Sequence, residues 1–167
     1  MTSHAAAYRQ KHQKGHTNPL TFALGVGFFS GLIWGAIHWL FYVLHFTKVI
    51  PGFLGEPFLK HSYLISGRGQ FAGWLLFIVF SMIASVIFVL LFRKLKGPWP
   101  GIVYGVVWWC IIFAMVGPEL HMFKQLNQMG WDTIVSEFCL FLLWGLFIGY
   151  TTAFEFTDER KREPEEV

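Results

Sequence analysis

Glu137 and His38 are the side chains best suited to chemistry in this sequence, because each stands inside a long apolar stretch. Ionisable residues within a membrane are costly, and they often mark a site that binds an ion or moves a proton. A carboxylate and an imidazole suit Zn²⁺ and similar ions, and both groups also exchange protons. One hypothesis is an outward-facing metal or proton site in which Glu137 and His38 converge, together with His121. A structural hydrogen bond from Glu137 to a histidine or a tryptophan is the interpretation that we favour.

Further candidate ligands gather near the same ends of the apolar stretches. These residues are His45, Glu119, His121, Glu56 and His61. His45 lies two helical turns beyond His38, which predicts that both histidines share one helix face. None of the candidates has an established metal-binding spacing. We therefore predict no cofactor, with a divalent metal of unknown ligands as the alternative.

Four long apolar runs must position these residues. They cover residues 20–46, 71–92, 99–116 and 133–154, and none contains Lys, Arg or Asp. A helix needs about 20 residues to cross a hydrocarbon core of roughly 30 Å. Backbone polar groups cannot face lipid unpaired, so each run is expected to be helical. The sequence therefore predicts an all-α, polytopic membrane protein folded as a four-transmembrane-helix bundle.

Two polar tails flank the transmembrane domain, which we place at residues 20–154. Residues 1–19 form the first tail, and residues 155–167 form a second tail of mixed charge. The chain is 54% hydrophobic and 14% charged, with a net charge of +3. This charge does not indicate nucleic-acid binding, because the basic residues stand beside helix ends. The lipid bilayer is the surrounding medium that the composition predicts.

The distribution of basic residues predicts the orientation of the chain. Nine of the 13 Lys and Arg residues lie in the two tails and in the second connection, and four lie in the other two connections. Cytoplasmic segments carry the excess of Lys and Arg in membrane proteins. We therefore expect both termini to be cytoplasmic, and four spans also require both termini on one side.

Small residues recur at four-residue spacing along the helices and predict close helix packing. The predicted packing residues are Ala23, Gly27, Gly31 and Gly35 in the first run, Gly101 and Gly105 in the third, and Gly145 and Gly149 in the fourth. Such stripes let helix backbones approach closely where lipid provides little hydrophobic drive. The stripe of the first helix could face the bundle interior or another protein, and packing within the chain is the interpretation we favour.

The sequence offers little support for an enzyme. It contains neither an H-E-x-x-H motif nor a G-x-S-x-G motif, and no aspartate lies well inside a run. Cys110 and Cys139 stand within the third and fourth runs without C-x-x-C spacing. We expect both thiols to be buried and to pack as small hydrophobic groups, and a disulfide or a shared metal ion is the alternative.

Several short motifs resemble the YqhR family of small membrane proteins from spore-forming Gram-positive bacteria. They are the segment from Asn18 to Gly27, the Trp34/His38 stretch, the turn from Gly97 to Gly101, and the Gly-Pro-Glu-Leu stretch at 117–120. The resemblance covers nearly the whole chain and implies a bacterial inner-membrane location. It implies no activity, and no catalytic residue can be carried over from it.

These observations together favour a non-enzymatic accessory or interaction component of the bacterial cytoplasmic membrane. Its contact surfaces would be the glycine stripe, the apolar loop after the first run and the charged C-terminal tail. The expected partner is another membrane protein or a second copy of the chain. The alternative is a small carrier, or a metal- or proton-binding membrane protein, that uses Glu137 and His38.

Overall fold

The computed structural model describes residues 18–92, 95, 97–120, 122 and 129–156. Within these residues, four helices are long and apolar enough to cross a membrane: Pro19–Val43, Gly67–Phe92, Trp99–Glu119 and Trp131–Phe156. The predicted all-α architecture with four spans is confirmed. Most of the tails lies outside the described residues, and so does His121.

Helix α1 (Pro19–Val43) begins and ends with recognisable local signals. The Asn18 side chain accepts a hydrogen bond from the Leu20 backbone N–H at 3.2 Å, and Pro19 occupies the first turn, where an N–H is not needed. At the other end the Phe46 N–H donates to Phe41 O at 2.9 Å, and His45 adopts a left-handed φ of 62°. These features form a Schellman turn, which stops the helix and reverses the chain.

The early end of α1 makes one prediction wrong. The apolar run continues to Phe46, yet the helix stops at Val43, so His45 does not share a helix face with His38. A left-handed residue redirects the chain, and composition alone does not mark that change. His45 is instead exposed at the end of the helix.

The loop after α1 folds back onto the bundle. A single 3₁₀ turn (Phe53–Gly55) and a short helix α2 (His61–Leu64) precede the second span, α3 (Gly67–Phe92). Val49, Phe53 and Leu64 are buried. Their burial explains the apolar composition of this loop, because it caps one end of the bundle.

The third span changes its helical geometry part of the way along. Helix α4 (Trp99–Trp109) continues as a π-helical segment (Cys110–Val116) and then as a short helix α5 (Gly117–Glu119). Pro118 follows the wide turns, and its ring would clash with the Ala114 carbonyl in a regular α-helix. The fourth span is the uninterrupted helix α6 (Trp131–Phe156).

The bundle consists of two tightly packed helix pairs, α1 with α3 and α4 with α6. The first pair meets along the stripe of small residues: a Cβ added to Gly31 would lie 2.6 Å from the Cα of Ile78. In the second pair, a Cβ on Gly145 would lie 2.5 Å from the backbone oxygen of Gly101. The glycines of both pairs therefore bring backbones into direct contact within the chain.

Trp144 joins the two pairs at the centre of the bundle. Its side chain is completely buried, and its Nε1 donates a hydrogen bond to Ser81 Oγ at 3.0 Å. Its ring stacks on Phe80 and Tyr104. The Tyr104 hydroxyl in turn donates to the Ala84 carbonyl at 2.7 Å. Large aromatic side chains thus fill the space between the glycine-packed pairs.

The spans define two ends of the bundle. The start of α1 and the end of α6 meet at the termini end, where the rings of Phe22 and Phe156 pack edge to face with their centroids 5.3 Å apart. The opposite end, here the loop end, carries residues 44–66 and the start of α6. Cys110 and Cys139 are free and exposed on the protein surface, so the expectation that both thiols are buried is wrong.

Candidate functional site

Glu137 and His38 meet inside the loop end of the bundle. His38 Nε2 lies 2.9 Å from Glu137 Oε1, and this hydrogen bond joins α1 to α6 across 99 residues of sequence. The Glu137 side chain is 1% exposed and the His38 side chain 3%. Two of the predicted candidates therefore form a buried pair.

Thr47 is the third member of the cluster, and sequence reasoning missed it. Its hydroxyl donates to Glu137 Oε1 at 2.5 Å and accepts the Val49 N–H at 3.1 Å. The Schellman turn at the end of α1 carries Thr47 back over the bundle. A lone threonine after an apolar run gives no periodic signal, so only the folded chain shows this contact.

Two weaker bonds fasten the same part of the loop to the first turns of α6. The Lys48 N–H donates to Thr133 Oγ1 at 3.2 Å, and Ser136 Oγ donates to the Phe46 carbonyl at 3.3 Å. The ring of Phe53 packs edge-on against the His38 imidazole, with centroids 5.6 Å apart. The segment after α1 is thus held on the bundle by polar contacts at and below the surface and by the ring of Phe53.

The second oxygen of Glu137 is the unusual atom of the cluster. Glu137 Oε2 is buried and has no hydrogen-bond partner among the described residues, whereas Oε1 takes part in two hydrogen bonds. A buried polar atom without a partner carries a desolvation cost of about 1–3 kcal/mol. His38 and Glu137 can hold a proton between them, and the contact of Thr47 with Glu137 fixes the loop to the helices.

The other predicted ligands do not join this cluster. His45 lies on the surface beyond the end of α1, and Glu119 is exposed at the end of α5. Glu56 pairs with His61 at 2.5 Å within the loop. Across the described part of the chain, no group of three or more His, Cys, Asp or Glu residues could hold a metal ion. The prediction for His121 falls outside the described residues.

The predicted packing residues lie where helices meet. Ala23 is fully buried in α1, and added Cβ atoms on Gly27 and Gly35 would stand 2.5 Å from Met82 Cα and 2.6 Å from Trp74 Cδ1 of α3. Gly101 and Gly105 of α4 face Gly145 and Gly149 of α6 in the same manner. The stripes are therefore occupied by helices of the same chain.

Comparison with known proteins assigns the chain to a family. A family model described as "Conserved membrane protein YqhR" matches residues 5–167. A protein of Bacillus subtilis (strain 168), named "Uncharacterized protein YqhR", is 33% identical over 132 residues, which cover 79% of this chain and 74% of the relative. No solved structure matches the chain.

Proposed function

Because this chain belongs to the YqhR family of conserved membrane proteins, we propose that it is a non-enzymatic accessory component of the bacterial cytoplasmic membrane. The observation that carries this proposal is the buried cluster of His38, Thr47 and Glu137. This cluster fixes the loop after α1 on the bundle. A fixed loop is a preorganised contact surface, which binds a partner with a smaller loss of conformational entropy than a mobile loop does.

The fixed loop carries apolar side chains on its outer surface. Phe58 is 83% exposed, and Leu59, Tyr63 and Ile65 are exposed beside it. Exposed aromatic and aliphatic groups on a rigid support are typical of interaction sites. The glycine stripes are engaged within the chain, so the loop replaces the stripe of α1 as the proposed contact surface for a membrane-protein partner or a second copy.

Photo-crosslinking from Phe58 tests this proposal. We expect a photoreactive residue at position 58 to give a discrete protein adduct in native membranes. The matched control is the same residue at Leu91, which is 67% exposed near the termini end and is expected to meet lipid. Adducts with lipid only, or identical protein adducts from both positions, would contradict the proposal.

We also propose that both termini and the α3–α4 connection are cytoplasmic, since nine of the 13 basic residues lie there. In a background of Cys110→Ser and Cys139→Ser, we expect an impermeant thiol reagent added to intact cells to label Ser66→Cys. Leu95→Cys, the matched position in the α3–α4 connection, should react only after the membrane is opened. The reverse labelling pattern would refute this orientation.

Proton handling by Glu137 and His38 is the second candidate function. The buried Glu137 Oε2 favours it, because this oxygen has no hydrogen-bond partner among the described residues and ionisable groups inside a membrane often serve ion or proton pathways. The two functions differ in their response to Glu137→Gln. This change preserves the shape of the side chain but removes its ability to gain or lose a proton. The accessory role should survive this change, whereas proton movement in liposomes should be lost.

A further inference from the structure

A second polar site lies at the loop end, on the outside of the bundle. A cleft of about 430 Å³ is lined by His45, Phe46, Trp131, Asp132, Val135 and Ser136. This volume falls within the range of small-molecule sites, which is roughly 300–1,000 Å³. The cleft lies between the end of α1 and the start of α6, and it does not include Glu137 or His38.

The residues around the cleft indicate that it lies near the membrane surface. Val43 and Leu44 are more than half exposed beside it, and Val135 is 54% exposed on its wall. Apolar groups of spanning helices face lipid tails, so the cleft opens where the tails meet the headgroups. Trp131, 80% exposed at the start of α6, is a residue type that prefers this layer.

The polar groups of the cleft have unused bonding capacity. Neither the Asp132 carboxylate nor the His45 imidazole forms an ion pair within the described part of the chain. His45 is also held in a left-handed conformation, which is uncommon for a residue other than glycine and costs of order 1 kcal/mol or more. A carboxylate beside an exposed indole suits a cation, through a charge-assisted hydrogen bond and a cation–π contact.

A positive charge also stands beside the start of α6, outside the lining of the cleft. Lys48 Nζ lies 4.0 Å from the position that a Cβ would take on Gly130, and the Lys48 backbone N–H donates to Thr133 Oγ1. The start of α6 therefore offers a carboxylate for a cation inside the cleft and an ammonium for an anion next to it. A zwitterionic headgroup carries both charges, and its acyl chains would continue along the apolar wall at Val135.

We propose that this cleft binds a phospholipid whose headgroup carries a primary ammonium, such as phosphatidylethanolamine. Asp132 accepts hydrogen bonds from the ammonium, the Trp131 ring covers it, and Lys48 attracts the phosphate. The lipid is held by its headgroup at the loop end, and its tails lie against the exposed apolar surface of α1 and α6.

Native mass spectrometry with defined lipids tests the site. We offer the purified protein phosphatidylethanolamine and phosphatidylglycerol with the same acyl chains, and we expect at least a fivefold preference for the ethanolamine lipid. Asp132→Asn should abolish this preference. Glu119→Gln, which neutralises another exposed carboxylate near the loop end, should leave it unchanged, and both variants should keep the wild-type unfolding midpoint.

Three results would overturn the proposal. Equal retention of the two lipids by the wild type would show that the cleft does not recognise the ethanolamine headgroup. A preference for phosphatidylglycerol would indicate an anion site at Lys48 instead. Binding of free ethanolamine as tightly as the lipid would show that the cleft takes a small amine and does not need the acyl chains.

Discussion

Gly31→Leu is expected to destabilise the bundle by about 3 kcal/mol or more, while Gly25→Leu in the same helix leaves it folded. At Gly31 the first added carbon would lie 2.6 Å from the backbone of Ile78, and a backbone atom cannot move aside as a side chain can. Overpacking typically costs about 1–3 kcal/mol even where side chains can adjust. Around Gly25 there is nothing within 4 Å of an added Cβ.

The alanine variants sharpen this comparison, because they add only the Cβ. Gly25→Ala should stabilise the helix by about 0.5–1 kcal/mol, since glycine is a poor helix former. Gly31→Ala should destabilise the protein, so the two changes have opposite signs. The measurement is the midpoint of thermal unfolding in one detergent. Equal midpoints for the Gly31 and Gly25 variants would contradict the packing described for α1 and α3.

Glu137→Ala is expected to destabilise the protein by about 3–5 kcal/mol. The change leaves the buried His38 Nε2 without its partner and removes the acceptor of the Thr47 hydroxyl proton, while Thr47 Oγ1 still accepts the Val49 N–H. Glu137→Gln should cost much less, because its amide oxygen still accepts the Thr47 hydroxyl proton and, in the tautomer that carries its proton on Nε2, the His38 N–H as well. The unfolding midpoint of each variant measures the difference.

Glu56→Ala is the matched control for this prediction. Glu56 and His61 form the same carboxylate–imidazole pair; the Glu56 side chain is 9% exposed, but the His61 side chain, which would lose its partner, is 64% exposed. Water can replace the lost partner there, so the change should cost less than about 1 kcal/mol. Similar losses for Glu137→Ala and Glu56→Ala would show that burial does not strengthen the His38–Glu137 bond. If Glu137→Gln folds normally, its effect on proton movement then tests the second candidate function alone.

The residues behind the glycine and glutamate predictions are visible in the sequence, but their neighbours in the bundle are not. The spacing of Gly27, Gly31 and Gly35 is visible in the sequence, and so is the intramembrane position of Glu137. The assignment of α3 as the neighbour of α1 is not visible, since Ser81 and Ile78 stand in a run with no distinctive glycine stripe. Gly25 and Gly27 also look alike in sequence, although one faces open space and the other faces Met82.

The amino-acid sequence by itself determined the number of spans, the all-α class and the family. Each of these depends on local composition, because a bilayer selects a hydrophobic length and helices satisfy their own backbone groups. The sequence also named Glu137 and His38 as candidates for one site, and the structure joins them. The tertiary structure alone decided that Thr47 is the third member of this cluster and that a cleft lies between His45 and Asp132. Thr47 and Glu137 are 90 positions apart, and their contact follows a left-handed turn at His45 inside an unbroken apolar run. Composition carries no periodic signal for such a turn, so Thr47 is recognisable as a partner only in the packed structure.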